Sequence, residues 1–227
     1  MILSEILSSL KYGELAQVNL SNINTNETNH RDRVISNINA AITEVYNRLP
    51  ILQSEVIIQQ YPHISTYELL DKYTQRGNET YKYIEDSIYR PFYEDTVIKI
   101  EQVFTEHGEE VPLNNEDAIY SLFTPSHNSL MVPYAEEDNA FSIVYKAKPR
   151  TIPIGSDDSY IVDIPYFLLE LITTYTANRV LMTYNTQTAD NNFYAVKFEK
   201  MINNVLLNGL INTDSFVNYK LEERGFA

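Results

Sequence analysis

The sequence contains no cysteine and no tryptophan, and only 6 of its 227 residues are glycine. The absence of cysteine excludes disulfides, thiolate catalysis and every cysteine-ligated zinc or iron–sulfur site. So few glycines leave little material for a phosphate-binding loop, and the sequence has no Gly-rich loop, nucleophile elbow or dinucleotide fingerprint. These absences disfavour an enzyme.

Basic residues are also scarce, with 17 Lys and Arg against 31 Asp and Glu, which gives a net charge of −14. Binding to a phosphate backbone depends on cations that displace counterions, and no basic stripe occurs in the sequence. An acidic surface instead suits a channel through which DNA passes without sticking. We assign the 18 Tyr and 9 Phe to the core, to sheet faces and to subunit interfaces.

The sequence lacks an apolar run that would suit a bilayer. Its longest apolar stretch, Tyr166 to Tyr184, carries Glu170, Arg179 and several threonines, which are costly in a membrane core. Met1 to Leu10 has no basic start and is broken by Ser and Glu, so it predicts an amphipathic helix rather than a signal peptide. We therefore expect no membrane span and synthesis in the cytoplasm.

Acidic residues and histidines, which serve as catalytic residues and metal ligands in other proteins, are present but lack the spacing that these roles require. Adjacent acids such as Glu109 and Glu110 are interpreted as solvated loop residues rather than as paired catalytic carboxylates. The histidines are isolated and form no HxH or HExxH pattern: His30, His63, His107 and His127. We expect no catalytic residue, no cofactor and no metal.

Two helical blocks stand at opposite ends of the chain, Arg33 to Leu49 and Pro165 to Gly209. The apolar residues of the first block share one face of a helix. Asn29 is the expected N-cap of this helix, and Pro50 is expected to end it. The second is rich enough in apolar bulk to bury that face. Residues 1–50 and 165–209 are therefore predicted to form one helical bundle. The apolar positions of the first block are Val34, Ile38, Ala41, Ile42, Val45 and Leu49.

Residues 51–164 have strand-like patterning, with turn signals such as Glu106 to Glu109 between the segments. The sequence predicts a small antiparallel sandwich or barrel-like region inserted into the bundle, an α+β fold overall. The expected strands include Val56 to Ile58, the stretch from Ile64 to Leu69, Thr96 to Phe104, Leu130 to Pro133, Phe141 to Lys146 and Tyr160 to Ile164. For Tyr67 to Tyr73 a helix remains an alternative.

Residues 210–227 are too apolar for a solvated tag and too short for a domain. Phe216, Tyr219 and Phe226 stand there on a polar background. Such an arm often gains its burial on a neighbouring subunit, as an added strand or a docked hook. We predict that these three aromatic residues anchor an extended C-terminal arm.

The first block, with Ile38-Asn39-Ala40-Ala41 and the ending Tyr46-Asn47-Arg48, resembles the helix of bacteriophage head-to-tail adaptor proteins, also called connector or ring proteins, of the tail tubular protein A type. The Pro-started helix after Ile164, with Ala177-Asn178-Arg179, is similar to the same family. Tyr81 to Ile84 and the ending Glu223 to Ala227 look most like ring proteins of crAss-like phages.

The resemblance implies a virion structural protein that joins the portal to the tail. It implies a ring of about twelve copies, closed head to tail, with double-stranded DNA passing through unbound during ejection. The implied partners are the portal protein and adjacent tail proteins, and the implied location is the portal vertex, neck or tail. Arg33, Arg48 and Arg179 are then candidate ion-pair donors between helices or subunits.

Two other functions remain open at this level. The chain could be another tail module, such as a stopper, a baseplate protein or a cargo-linked protein, since these share its composition. It could also be a soluble enzyme of an unrecognised class, which would have a concave pocket with convergent acids or histidines.

Overall fold

The computed structural model describes residues 1–16, 27–86, 91–135, 139–184, 189–209 and 211. Within these residues the fold is mixed α+β, with helices towards the two ends of the chain and antiparallel strands between them, as the sequence predicts. The helices are α1 Leu3–Tyr12, α2 Glu27–Arg48, α3 Leu169–Tyr184 and α4 Ala189–Leu207. The strands are β1 Leu52–Gln59, β2 Thr66–Glu68, β3 Ile84–Glu85, β4 Val97–Thr105, β5 Phe123–Ser126, β6 Ser129–Met131 and β7 Ala140–Ala147.

Helix α2 buries the face that the apolar spacing predicts. Its residues Ile38, Ala41 and Val45 are fully buried, and Leu49 directly after the helix is buried as well. The helix begins at Glu27, so Asn29 lies inside it and the prediction that Asn29 is the N-cap is wrong. The helix ends before Pro50, because the residue that precedes a proline is disfavoured in helical conformation.

The helical region that leads into α3 begins directly after Pro165, where the sequence predicts the start of a helix. A 3-10 turn at Tyr166–Leu168 leads into the α-helix at Leu169. Helix α4 ends at Leu207, and Gly209 follows with a φ of 61°, a left-handed conformation that glycine adopts without strain.

The four helices share one hydrophobic cluster. Leu3 and Ile6 of α1, Leu171 of α3 and Phe198 of α4 are all buried in it. Burial of a single large aliphatic side chain is worth about 1.5 to 3 kcal/mol, so this cluster is a main source of stability. The cluster also contains three residues that lie outside the helices, between β7 and α3, namely Ile152, Val162 and Ile164.

Those three residues belong to a segment, residues 150–164, that we call the strap because it runs along α1 and α2. Asn39 of α2 binds its main chain twice: Asn39 Nδ2 donates to the Ile152 carbonyl and the Ile152 N–H donates to Asn39 Oδ1, both at 2.9 Å. Arg31 donates to the Ser156 carbonyl at 2.9 Å and pairs with Asp158 at 2.8 Å. The strap is therefore fixed to α2 by directed polar contacts.

The strand predicted at Tyr160 to Ile164 lies in the strap and joins neither sheet. Ile161 forms an isolated antiparallel bridge with Ile2, and the N–H of Val162 donates to the carbonyl of Met1. Ile161 and Asp163 are exposed, whereas Val162 and Ile164 are buried. The alternating pattern reflects an extended segment that covers helices, which is why it reads as a strand in the sequence.

The strands form two antiparallel sheets, with orders β3-β1-β7-β4 and β2-β6-β5. In the larger sheet β7 lies between β1 and β4, with Ile143 opposite Val56 on one side and Val103 on the other. Strands β3 and β4 stand at opposite edges and do not pair, so the sheet is open and the barrel alternative is wrong. The short strands β3 and β5 were not expected from the sequence.

Tyrosines occupy much of the second hydrophobic cluster, which the two sheets share. Tyr67 and Tyr83 are buried with their rings edge to face at 5.0 Å. The Tyr83 hydroxyl donates to the Glu68 carbonyl at 2.8 Å and accepts from the Glu68 N–H at 2.9 Å. Burial raises the pKa of Tyr67 and Tyr83, as it raises that of Tyr46 in the helical cluster and Tyr145 on β7.

We expect Asn39→Ala to lower the free energy of unfolding by about 1 to 3 kcal/mol, because it removes both partners of the buried Ile152 main chain. Urea unfolding followed by circular dichroism measures the change. The matched control is Asn47→Ala, an exposed position on the same helix, with an expected change below about 0.5 kcal/mol. Equal losses in the two variants would contradict the role of Asn39.

We expect the free energy of unfolding to fall as the pH rises above about 10, where tyrosines of the unfolded chain ionise while the buried ones stay protonated. Tyr46→Phe removes one such group. The free energy of unfolding of this variant should therefore fall less steeply with pH than that of the wild type, by at most about 1.4 kcal/mol per pH unit. Urea titrations between pH 9 and 11 measure this difference, and equal slopes in the two proteins would contradict it.

Candidate interaction surfaces

Arg48, a candidate interface residue, is engaged within its own chain. Its Nε lies 2.6 Å from Glu44 Oε1, one turn earlier on α2, and its Nη1 lies 2.5 Å from Glu199 Oε1 on α4. The guanidinium also stands 5.5 Å from the centre of the Phe198 ring. Arg48 therefore links α2 to α4.

Arg33 and Arg179 lie on the exposed side of the α2–α3 pair. Arg179 Nε donates to Asn37 Oδ1 at 3.3 Å, and Arg33 stands one turn before Asn37 on the same face of α2. Met182, one turn after Arg179, is 52% exposed. We call Arg33, Asn37, Arg179 and Met182 the arginine face.

The predicted anchors of the C-terminal arm, Phe216, Tyr219 and Phe226, lie outside the described residues, so their docking stays a prediction. The last described residue, Ile211, is buried in the helical cluster. The arm therefore starts from the helical part of the molecule.

A second polar link, which the sequence did not indicate, joins three helical segments. Lys197 Nζ on α4 lies 2.6 Å from Glu14 Oε1, just after α1, and 3.2 Å from Glu170 Oε1 on α3. Tyr194, one turn earlier, donates its hydroxyl to the Glu14 carbonyl at 3.0 Å. These partners are far apart in sequence and have no shared spacing, so only the packing of the helices reveals them.

An exposed apolar surface, which no pattern in the sequence indicated, lies where the strap passes α1. Ile2 and Ile161 are paired in the isolated bridge, so their side chains point to the same side, and they are 38% and 75% exposed. Asp163 lies two residues further along the extended strap, and Tyr166 follows with 73% of its surface exposed. We call Ile2, Ile161, Asp163 and Tyr166 the ledge.

A third surface lies at the end of the sheets. Tyr120 and Tyr134 line a cleft of about 330 Å³ together with Val111, Pro112 and Phe141. Both tyrosines are more than two-thirds exposed, and so is the neighbouring Ile119. Aromatic side chains at the rim of a cleft offer contact area to another protein.

The acids and histidines singled out from the sequence lie on several different elements and turns of the chain. Glu109 and Glu110 are exposed on the turn after β4, and Asp158 pairs with Arg31. His63 packs its ring 4.6 Å from that of Tyr81. Within the described ranges, no group of three or more acids and histidines is arranged to hold a metal ion. None of the described helices is long and apolar enough to cross a membrane.

Comparisons with known proteins give no assignment: no protein-family model matches the sequence, and the search of curated proteins found no match.

We expect Arg48→Met, which keeps the apolar stem, to lower the free energy of unfolding by no more than about 1 kcal/mol, because water screens a side chain that is 39% exposed. The loss should be largest at low ionic strength and should shrink in about 1 M NaCl, where charges are screened within about 3 Å. A double-mutant cycle with Glu199→Gln measures the coupling. A loss that does not change with salt would contradict an ionic origin.

Proposed function

We propose that this protein is a structural virion protein of a bacteriophage that forms a ring between the portal and the tail. The ring holds about twelve copies, lets double-stranded DNA pass through its centre and carries out no catalysis. Its partners are the portal protein and the adjacent tail proteins. The proposal combines the family resemblance of the helices with the surfaces described above.

The observation that carries the proposal is that large apolar side chains are exposed on several separate parts of the molecule. Ile161 and Tyr166 stand on the ledge, and Tyr120 and Tyr134 stand at the end of the sheets. Single exposed apolar residues are ordinary, whereas exposed groups of them mark interaction sites. A ring subunit needs several such sites, because it meets a neighbour on each side and other proteins above and below.

In this proposal the four helices form a bundle that is the body of the ring. The two sheets form a sandwich-like insertion that faces the next tail component. The net charge of −14 suits a DNA channel, since an acidic wall repels the duplex and prevents it from sticking.

Gentle disassembly of purified virions tests the proposal. The chain should co-sediment with the portal ring in a symmetric, stoichiometric complex. Absence from the particle, or presence only at the distal tail or inside the capsid, would overturn it.

We expect deletion of Phe216 to Ala227 to leave a folded monomer and to abolish incorporation into the ring, because the arm's three aromatic residues supply buried contacts on a neighbour. Thermal melting measures folding, and sedimentation with portal complexes measures incorporation. A full-length chain with Phe216, Tyr219 and Phe226 changed to Ser should fail in the same way.

The matched control changes Lys220 and Glu222 of the same arm to Ser and should incorporate normally. Normal incorporation of the truncated chain would show that the arm does not anchor the ring.

A further inference from the structure

We propose that residues 217–222 of the C-terminal arm add to the open edge of β4 in the next copy of the chain, as a further strand of its larger sheet. The inference rests on the proposed ring, in which the arm anchors each subunit to a neighbour, and it assigns the surface that receives the arm. Main-chain hydrogen bonds hold the arm there, as they do in other proteins that bind a peptide along a sheet edge.

Three of the four sheet edges are short and are occupied by other parts of the chain. On the three-residue strand β2, the Tyr83 hydroxyl binds both main-chain groups of Glu68. On β5, the Thr124 N–H donates to Asn114 Oδ1 at 2.9 Å. The two-residue strand β3 forms a bridge with Thr74 on its outer side. These edges are therefore closed to a further strand.

The edge of β4 is the longest of the four, with nine residues, and its first part is open. Beyond that part the chain turns back on itself, so that the Val111 N–H donates to the Val103 carbonyl at 2.8 Å. From Val97 to Gln102, the part of the chain that the structure describes supplies no main-chain partner on the side away from β7. A row of unpaired N–H and carbonyl groups is a template for another strand.

Two features of β4 favour a single added segment over the sheet edge of a second folded copy. The pairing of β4 with β7 shifts in register twice, between Val97 and Lys99 and between Ile100 and Gln102. Such irregularities increase the local twist, and the exposed Lys99 stands on the same edge. Both features discourage two folded sheets from joining edge to edge, whereas a terminal segment that adds as one strand can follow the twist.

The arm has the sequence pattern of such a strand. Apolar and polar residues alternate over six positions, and valine and tyrosine are favoured in strands. In the added strand, the apolar side chains extend the buried face of the sheet, where Val97 and Ile100 lie in the second hydrophobic cluster. The apolar positions are Val217, Tyr219 and Leu221, and the polar positions are Asn218, Lys220 and Glu222.

The start of the arm limits where the receiving edge can lie. Ile211 is buried in the helical cluster, six positions before Val217. An extended chain spans about 3.3 to 3.6 Å per residue, so Val217 lies within about 20 Å of Ile211. A contact between the arm of one copy and the sheet of the next is heterologous. Each copy gives one arm and receives one, which closes a ring when the rotation permits.

Cross-linking tests the contact, and the absence of native cysteine makes it specific. A chain with both Lys99→Cys and Lys220→Cys is concentrated until sedimentation detects assemblies and is then treated with a short bis-maleimide. We expect a ladder of linked oligomers, because both positions lie in the middle of the paired stretch. Each single variant should give no ladder. The matched control, Glu68→Cys with Lys220→Cys, places the thiol on the closed edge of β2 and should give none either.

Hydrogen exchange provides the second readout, because it detects main-chain bonds directly. The slowest-changing comparison is the wild-type chain in assemblies against the same chain diluted until it is monomeric. Amides between Val97 and Gln102 should exchange at least about tenfold more slowly in the assemblies, since an added strand binds them. Amides of Thr66 to Glu68 should exchange equally in both. An arm that docks through its side chains alone would leave the exchange of β4 unchanged, which would overturn the added strand.

The competing arrangement is an arm that pairs with β4 of its own copy, since Ile98 packs against the same helical cluster that contains Ile211. It would give a linked monomer without a ladder and would overturn the contact between copies. Assembly without any link, or no self-association of the wild-type chain at any concentration, would overturn it as well. A ladder together with absence from the portal complex would leave the arm contact standing and overturn the proposed function.

Discussion

Burial of α3 is the constraint on which the rest of the structure depends. The stretch from Leu171 to Asn178 is buried almost without interruption, threonines included, so the helix needs partners on nearly every side. Helices α1, α2 and α4 supply them in one shared cluster. Because α1 and α2 come from the start of the chain, the two ends must meet, and the sheets between them occupy the loop that this closure creates. The entropic cost of such a loop grows only slowly with its length, so a long insertion is tolerated.

The buried threonines show how α3, which carries several polar residues, can be buried on nearly every side. Thr176 donates its hydroxyl to the Ile172 carbonyl at 2.7 Å, and Thr173 donates to that of Glu170 at 3.1 Å. A threonine hydroxyl that donates its hydrogen bond to its own helix leaves mainly the methyl group of the side chain to contact the neighbours. This explains how the longest apolar stretch of the chain serves as a core helix although it carries several polar residues.

Helical periodicity predicted the structure correctly where a helix buries a single face. The spacing of Ile38, Ala41 and Val45 predicted the buried side of α2, and Pro165 marked the start of the helical region that leads into α3. The prediction of a sheet strand at Tyr160 to Ile164, in the strap, is wrong. Alternation of exposed and buried residues occurs both in a sheet and in an extended segment that covers helices. The polar links of Asn39 with Ile152 and of Lys197 with Glu14 could not be predicted from the sequence, since no local pattern relates residues so far apart in the chain.

The sequence by itself determined the α+β class, the positions of the main helices and the acidic, cysteine-free character of the protein, because these follow from composition and from short-range periodicity. Tertiary structure alone decided that the larger sheet is open, since strand order depends on long-range pairing. It also distinguished the three arginines, which look alike in the sequence: Arg48 pairs with Glu199 of α4, Arg179 donates to Asn37 of α2, and Arg33 lies exposed one turn before Asn37. A side chain's partners depend on which helices pack together, and that packing is a property of the whole fold.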